Sequence, residues 1–259
     1  PRPEIVPRPG SRPRGAGPFA CPRGRARRPG PVSGEVPPGR RMRDDRFMSN
    51  AIFARFFDLV AARGEQRGNA DLRRELLAGL SGRVVEVGAG NGLNFPHYPP
   101  DVAEVVAVEP QPYLRGKAAA AARTAPVGIR VVDGTAERIP LDDSCADAVV
   151  VSGVLCSVRD PRAALEEFRR VLRPGGRLRF YEHVRADGGF GRRQDLLAPL
   201  WARLMGGCRV DRDTVGELER AGYRIERCRR LVFPPGARVS VVAPRVIGAA
   251  LPLERPGPA

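Results

Sequence analysis

Histidine and cysteine are scarce in this chain, which limits the metal and redox chemistry that the sequence predicts. Among 259 residues there are 2 histidines and 5 cysteines. The cysteines are odd in number and include no Cys-x-x-Cys pair, so neither a disulfide framework nor a metal site is expected. A reducing, cytoplasmic location is the default expectation for such a chain.

Long apolar runs are absent as well. A membrane-spanning helix needs about 18 or more consecutive apolar residues, and the chain has no such run, so no membrane span is predicted. The arginine- and proline-rich start has no apolar core, so no secretory signal is expected there.

Lysine is almost missing, and this affects how the net charge of +15 is interpreted. Lys117 is the only lysine, so nearly every cation is arginine, which is typical of a genome-wide codon bias rather than of selection for phosphate contacts. Residues 1–47 hold 12 arginines and 4 acidic residues and account for +8 of the charge. A basic arm for nucleic acid or anionic lipid stays open for this segment. It lacks interleaved aromatic residues, so no specific nucleic-acid partner is expected.

Composition divides the chain into three segments. Residues 1–47 are dominated by proline, glycine and arginine and cannot bury enough apolar area to offset their ordering entropy, which predicts a disordered tail. Residues 48–243 alternate between strand and helix patterns and predict a single α/β domain. Residues 244–259 are predicted to be a frayed carboxy-terminal tail.

Within the domain, the order of elements predicts the fold class. Alternating strands and helices indicate a Rossmann-like doubly wound sheet in a three-layer αβα arrangement, mostly parallel, with an antiparallel strand at its carboxy-terminal end. Asp160 is predicted to cap a helix that starts at Pro161, and Thr214 is predicted to open another in a capping box with Glu217. Strands are predicted at 83–87, 104–108, 129–133, 148–152, 179–183, 225–232 and 238–242, and helices at 50–60 (apolar stripe Ile52, Phe53, Phe56, Leu59 and Val60), 70–80, 113–123, 161–172, 196–205 and 214–221.

A glycine-rich loop follows the first predicted strand. Residues 84–92 read Val-Val-Glu-Val-Gly-Ala-Gly-Asn-Gly, and Gly88 and Gly90 remove Cβ atoms that would keep a ligand from the backbone. Glu109 lies 21 positions after Gly88 and ends the second strand, where a carboxylate can accept hydrogen bonds from both hydroxyls of a ribose. A dinucleotide-binding loop, Gly-x-Gly-x-x-Gly, needs glycine at Leu93. Here the third glycine is Gly92, so the spacing departs from that of dinucleotide enzymes.

The pattern Glu-x-Gly-x-Gly-x-Gly at 86–92 resembles motif I of class I methyltransferases that depend on S-adenosylmethionine (SAM). Three later stretches, at 134–140, 147–150 and 172–176, resemble successive motifs of the type 11 methyltransferase domain. The segments Asn-Phe-Pro-His-Tyr-Pro at 94–99, Val-Leu-Cys-Ser-Val at 154–158, Tyr-Glu-His-Val at 181–184 and Gly-Gly-Cys-Arg at 206–209 are similar to the branch that includes alkyl-thiol S-methyltransferases. The general resemblance covers about 80–184 and the narrower one extends to about 223. It implies SAM as cofactor and a small-molecule acceptor, with a thiol favoured.

The resemblance also implies which residues contact SAM. Glu86 is expected near the amino group and Glu109 at the ribose. Many type 11 domains have aspartate where this chain has Thr135, so adenine recognition is expected to rest on backbone groups of Ala136 and Glu137. The predicted cofactor-binding residues are Glu86, Gly88, Gly90, Asn91, Gly92, Glu109, Pro110, Thr135, Ala136, Glu137 and Val154.

His183 ends the fifth predicted strand on the expected acceptor side and is the candidate general base. The alternative for His183 is an oriented, neutral imidazole that caps the strand or contacts the cofactor. The sulfonium of SAM is already electrophilic, so orientation, which contributes roughly 7–11 kcal/mol in favourable cases, is expected to matter most. A thiol, with a reference pKa of about 8.5 for cysteine, is partly ionised near neutrality and needs little help from a base. Cys156 is interpreted as a buried thiol that lines the pocket.

Other functions stay open at this stage. A related enzyme could methylate a quinone-like carbon or a lipid amine, and a protein of a different class could bind SAM or RNA without catalysis. The acceptor pocket is expected to be lined by the irregular segments 50–70 and 185–212. The sequence predicts no particular oligomeric state.

Overall fold

The computed structural model describes residues 54, 55, 58, 64–237 and 239–253. The predicted tail at 1–47 and the apolar stripe of the first predicted helix lie outside these residues. A π-helical turn, Glu65–Asn69, leads into helix α1, Ala70–Leu77. This helix ends three residues earlier than predicted, because Ala78 takes an extended ψ of 130°.

Seven strands and four further helices follow. The strands are β1 Gly82–Val87, β2 Val102–Val108, β3 Ile129–Val132, β4 Ala146–Ser152, β5 Leu172–His183, β6 Tyr223–Val232 and β7 Pro244–Pro252. The helices are α2 Pro112–Ala122, α3 Pro161–Val171, α4 Gly188–Leu204 and α5 Thr214–Arg220, with a 3-10 turn at Phe95–His97. Within the part of the chain that is described, no helix is both long enough and apolar enough to cross a bilayer.

The strands form one sheet in the order β3-β2-β1-β4-β5-β7-β6. Neighbours among the first five strands pair in parallel, whereas β7 is antiparallel to both β5 and β6. Helices flank this mostly parallel sheet, so the predicted fold class is confirmed. The strand order reverses between β1 and β4, and in such sheets ligands bind outside the carboxyl ends of the strands at the reversal.

The carboxy-terminal part of the sequence prediction was wrong. The last strand is not at 238–242, and Pro244–Pro252, predicted to lie in a frayed tail, is the strand β7 between β5 and β6. Small residues occupy 248–250, where the strand is crowded on both sides. A Cβ atom on Gly248 would lie 2.3 Å from the carbonyl oxygen of Arg227 and 2.6 Å from Cζ of Phe180.

Helix starts show where local patterns succeed and where they fail. The Asp160 carboxylate accepts a hydrogen bond from the Ala163 amide at 3.0 Å, so the predicted cap of α3 is confirmed. The predicted capping box at Thr214 is wrong. Asp213 caps α5 by accepting from the Gly216 amide at 3.2 Å, and Thr214 is the first helical residue, buried in the core.

Two other boundaries differ from the prediction in ways that matter for the site. Helix α3 ends at Val171, and β5 begins at Leu172 rather than near 179, so the Pro-Gly-Gly stretch at 174–176 lies within the strand. Helix α4 begins at Gly188 instead of 196. The acceptor side of the sheet is therefore covered by a longer helix than the sequence predicts.

Candidate functional site

The glycine-rich loop leaves the end of β1 with three glycines in the left-handed region. The φ angles of Gly88, Gly90 and Gly92 are 67°, 58° and 84°, a conformation that residues with a Cβ adopt at a cost. A Cβ atom on Gly88 would also lie 2.5 Å from Cγ2 of Val154, at the end of β4. The loop therefore brings bare backbone to the sheet edge where the strand order reverses.

Glu109 joins this loop to the end of β2. The side chain is only 5% exposed, and its two oxygens accept hydrogen bonds from the amides of Gly90 at 2.8 Å and Gln111 at 2.9 Å. Burial raises the pKa of Glu109, while these two amides lower it. A carboxylate has about four lone-pair sites, so both oxygens can still accept from the hydroxyls of a ribose.

Glu86 lies beneath the loop as a buried carboxylate. It accepts hydrogen bonds from the Tyr98 hydroxyl at 2.6 Å and from the Asn94 amide nitrogen at 2.9 Å. The amide oxygen of Asn94 in turn accepts from Nη1 of Arg73 at 2.7 Å. Burial raises the pKa of Glu86 to about 7, and the hydrogen bonds and the Arg73 charge oppose this rise.

The Glu86 network extends across the sheet. Arg73 forms an ion pair with Glu65 at 2.8 Å, and Asn69 donates to the same carboxylate at 3.3 Å. The Tyr181 hydroxyl on β5 donates to Asn69 at 3.1 Å, and Tyr181 is buried in the hydrophobic core. Sequence reasoning missed Arg73 and Asn69, because neither stands at a fixed spacing from the glycine motif.

Asn91 points away from the centre of the loop. Its amide nitrogen donates to Asp58 at 2.7 Å, and Asp58 also lies 3.4 Å from the amine of Lys117. The hydrogen bond from Asn91 is the largest of the contributions that lower the pKa of Asp58. The side chain of Asn91 thus ties the loop to Asp58 in the segment before α1.

The predicted adenine-binding residues form a tight turn after β3. The backbones of Thr135 and Arg138 exchange two hydrogen bonds of 3.2 Å each, with Thr135 exposed and Ala136 6% exposed. A Cβ atom on Gly134 would lie 2.9 Å from Cγ1 of Val108, so the turn rests against the end of β2. The carbonyl of Pro110, next to Glu109, accepts from Arg115 at 2.9 Å.

A second buried carboxylate shapes the acceptor side. Glu182 on β5 is 1% exposed and accepts hydrogen bonds from the amides of Val154 at 2.9 Å and Cys156 at 3.1 Å. Burial raises the pKa of Glu182 to about 8. Glu182 is absent from the predicted site residues, and the signal for it was an acid at an inward-facing position of an apolar strand.

His183 lies beside two thiols. Its Nδ1 atom is 3.5 Å from Sγ of Cys156 and 3.6 Å from Sγ of Cys208, and the two sulfurs are 3.8 Å apart. Cys156 is fully buried, as predicted for this thiol, and Cys208 is 8% exposed. The pKa of Cys156 is raised to about 12, mainly by the hydrogen bond with Cys208 and secondly by burial. The same hydrogen bond lowers the pKa of Cys208. We call these three residues the Cys-His-Cys cluster.

Gln194 on α4 holds the segments around this cluster together. The side chain is fully buried, and its nitrogen donates to the carbonyls of Val184, Val210 and Val241 at 3.1, 3.0 and 2.9 Å. Its oxygen accepts from the Ala186 amide at 2.7 Å. One side chain therefore fixes the end of β5, the segment after Cys208 and the turn before β7.

An apolar groove runs along α4 next to the cluster. Among its lining residues, Leu197 is 44% exposed and Leu200 60% exposed, and Val239 on the facing turn is 84% exposed. The groove has a volume of about 310 Å³, and Trp201 lines it while also packing against the buried apolar cluster of Cys156, Ala198, Cys208 and Val210. Part of its lining comes from 185–212, one of the two segments predicted to line the acceptor pocket, and that prediction stays a prediction.

Comparisons with known proteins agree with this geometry. A family model described as a methyltransferase domain matches residues 85–180. Thiol S-methyltransferase TMT1B of Homo sapiens is 37% identical over 182 residues, covering 68% of this chain and 73% of the human protein. Thiol S-methyltransferase TMT1A of Homo sapiens is 34% identical over 195 residues, covering 70% and 79%. A SAM-dependent methyltransferase structure from Thermotoga maritima has a TM-score of 0.58 and 23% identity, covers 78% of this chain and 98% of that one, and supports the fold.

Proposed function

The chain belongs to the SAM-dependent methyltransferases, and on this premise we propose that it methylates the sulfur of a small apolar thiol. The observation that carries the choice of acceptor is the groove along α4, whose lining residue Trp201 packs against the Cys-His-Cys cluster. The two human relatives named as thiol S-methyltransferases support the same class of acceptor.

The residues present fit SAM at the edge where β1 and β2 end. The carboxylate of Glu109 retains acceptor sites for two ribose hydroxyls. The left-handed glycines at 88, 90 and 92 give the amino-acid moiety access to bare backbone. The turn at 135–137 supplies backbone groups for the adenine edge. When bound, SAM supplies a methyl group on a sulfonium, which is electrophilic and has a good leaving group.

The protein's main task is to orient the acceptor and keep water away from it. Val154 links the two sides, because it lies against Gly88 in the loop and its amide is held by Glu182. An acceptor in the groove reaches the sheet edge past Trp201, next to the position of the predicted cofactor. Positioning of this kind contributes roughly 7–11 kcal/mol to catalysis in favourable cases.

The surroundings of His183 favour the role of an oriented imidazole over that of a general base. Its Nδ1 atom is engaged with the two cysteine sulfurs, which fixes the ring and leaves Nε2 for other contacts. A general base typically contributes a factor of about 10²–10⁴, and a thiol acceptor needs less of this help than an amine or phenol.

We extend the proposal to the location of the enzyme. Among the described residues, none of the cysteines Cys145, Cys156, Cys208 and Cys228 is joined in a disulfide. We place the enzyme in a reducing cytoplasm, where Cys156 and Cys208 stay available as thiols. The partner proposed is the small acceptor, with no specific nucleic acid.

A panel of acceptors tests the proposed function. Purified full-length protein is incubated with SAM and, separately, an alkyl thiol, a phenol, a quinone and a lipid amine, and formation of S-adenosylhomocysteine is measured. We expect turnover with the alkyl thiol, growing with the length of its apolar chain. The variant Glu109→Gln serves as the cofactor-binding control. Turnover confined to the quinone or the amine would contradict the proposal.

A further inference from the structure

The Cys-His-Cys cluster has the dimensions of a tetrahedral metal site. With Zn–S bonds of about 2.3 Å and Zn–N bonds of about 2.0–2.1 Å, tetrahedral angles place two sulfurs about 3.8 Å apart and a sulfur and a nitrogen about 3.5 Å apart. The observed separations are 3.8 Å between the sulfurs of Cys156 and Cys208, and 3.5 and 3.6 Å from these sulfurs to Nδ1 of His183. All three edges of one tetrahedral face are therefore present.

The chemistry of the three ligands also favours particular metal ions. Two thiolates and an imidazole suit Zn²⁺, whereas they suit Mg²⁺ or Ca²⁺ poorly because those ions prefer oxygen. Among the described residues, Cys156, His183 and Cys208 form a group whose ligand atoms all lie within 4.8 Å of one another, close enough to bind one metal ion together. The ligands come from three segments, after β4, at the end of β5 and after α4, so no short sequence pattern predicts them.

The residues around the cluster hold it in this arrangement. The Ser157 hydroxyl lies 3.5 Å from Sγ of Cys156, and the carbonyl of Cys156 accepts from the Arg209 amide at 2.7 Å. Gln194 fixes the backbone next to His183 and two residues after Cys208. Such surrounding hydrogen bonds orient metal ligands, and their loss typically weakens metal binding by about 10–100-fold.

We propose that Cys156, His183 and Cys208 hold a Zn²⁺ ion whose fourth position receives the sulfur of the acceptor thiol. Three protein ligands and one open position are the arrangement of catalytic zinc sites, whereas structural sites have four protein ligands. The groove adjoins the open position, because Trp201 lines the groove and packs against the apolar cluster that contains both cysteines. This inference rests on the proposed function, since it assigns the acceptor sulfur to a particular place.

The zinc ion makes the acceptor a better nucleophile at neutral pH. On binding, the acceptor R–SH releases its proton to solvent and its sulfur coordinates Zn²⁺ as a thiolate. A lone pair on this sulfur attacks the methyl carbon of SAM, a new S–C bond forms, and the bond from that carbon to the sulfonium sulfur breaks with its electron pair. The products are S-adenosylhomocysteine and the neutral thioether R–S–CH₃. The thioether binds zinc weakly and is replaced by water.

Cobalt substitution tests the site without depending on turnover. The full chain is reduced with a non-thiol phosphine, stripped of metal and titrated with Co²⁺, which in a tetrahedral thiolate site gives visible d–d bands and a near-ultraviolet charge-transfer band. We expect one Co²⁺ per chain. Cys156→Ala, Cys208→Ala and His183→Ala should each weaken binding by about 100-fold or more, at least the loss caused by removing a supporting residue.

Two controls separate metal binding from general effects. Cys228→Ala removes an exposed thiol outside the cluster and should bind Co²⁺ as the wild type does. Each cluster variant should still bind SAM by calorimetry, which shows that it is folded. An alkyl thiol added to the cobalt protein should shift the d–d bands, because it enters the fourth position.

The outcomes distinguish this inference from the proposed function. Metal-free reduced protein that methylates thiols at the wild-type rate overturns the zinc site and leaves the proposed function intact. A cobalt site that forms but does not respond to thiols, in a protein that methylates no thiol, overturns both the acceptor position and the proposed function. Equal Co²⁺ binding by the wild type and the three cluster variants also overturns the site.

Discussion

The proposed cofactor side and the proposed acceptor side of the site differ in the sequence separation of the residues that form their contacts. On the cofactor side, Glu109 bonds Gln111 two residues away and Gly90 nineteen residues away. On the acceptor side, Cys156 meets Cys208 fifty-two residues away. A pattern in the sequence can represent the first kind of contact, whereas the second exists only after the sheet and α4 have assembled.

The two sides also differ in how they present apolar surface. The strands on the predicted cofactor side end in buried valines, and the polar groups there are backbone amides and buried carboxylates. The acceptor side exposes the leucines of α4 along a groove. One side is thus suited to a fixed polar cofactor, and the other to apolar acceptors of varied shape. The following substitutions test this contrast, beginning with the largest expected effect.

Gly88→Val should abolish SAM binding, with a loss of at least about 100-fold, equivalent to about 2.7 kcal/mol. The left-handed φ of 67° penalises any Cβ, and this Cβ would lie 2.5 Å from the Val154 side chain. Calorimetry with SAM measures the loss. The matched control is Gly116→Ala on α2, where a Cβ meets nothing within 4 Å. If Gly88→Val bound SAM with wild-type affinity, the assignment of the glycine-rich loop to the SAM site would be contradicted.

Glu86→Gln should remove a pH dependence of stability. Burial raises the pKa of Glu86 to about 7, so the folded state holds this proton more tightly than the unfolded state does. Its stabilising contribution is complete below about pH 4.5 and is lost as the pH rises through about 7, by roughly 3 kcal/mol. Denaturant unfolding from acidic to mildly alkaline pH should therefore show the variant gaining stability relative to the wild type.

Tyr98→Phe sharpens the same measurement. It removes the hydroxyl that donates to the ionised carboxylate at 2.6 Å, so the pKa of Glu86 should rise further and the loss of stability should begin at higher pH. If the free energy of unfolding changed with pH in the same way in the wild type and in Glu86→Gln, the pKa of Glu86 would be the same in the folded and unfolded states, which would contradict the prediction.

Glu109→Gln should weaken SAM binding by about 10–100-fold, or about 1.4–2.7 kcal/mol. The amide keeps one acceptor oxygen but replaces the other by a donor, which opposes either a backbone amide or a ribose hydroxyl. Asp133→Asn, an exposed carboxylate at the end of β3, is the control and should bind normally in the same titration. Equal affinities would remove Glu109 from the ribose site.

Leu200→Gln should change stability by less than about 0.5 kcal/mol, because this leucine is 60% exposed. In contrast, Leu165→Ala in the buried face of α3 should cost about 2–5 kcal/mol. For catalysis the order reverses, since Leu200→Gln should raise KM for an apolar thiol severalfold while kcat stays constant. An unchanged KM would indicate that acceptors do not use the groove.

Local signals in the sequence predicted what local interactions determine. The cap of α3 at Asp160 was confirmed because its partner lies three residues away. Six of the seven strands, the parallel sheet and the chain's methyltransferase family followed from short motifs and periodicity. The capping box at Thr214 failed although it fits the pattern, because the neighbouring Asp213 takes the capping position.

Features that depend on tertiary packing could not be predicted. Strand β7 carries small residues only at 248–250, and its segment was predicted to be a tail because the crowding by Phe180 that requires Gly248 is visible only in three dimensions. The Cys-His-Cys cluster was missed for the same reason, and the absence of a cysteine pair argued against any metal site. Glu182 lies between these two cases. The sequence places an acidic residue within an apolar strand, which is a signal, but its hydrogen-bond partners are known only from the structure.

The position of β7 has a consequence for synthesis on the ribosome. Strand β6 is translated first, yet it joins the sheet only through β7, which is made later and inserts between β5 and β6. Until 244–252 emerge, β6 presents free backbone groups to other nascent chains. Its exposed arginines, at 224, 227, 229 and 230, repel such partners by charge during this interval.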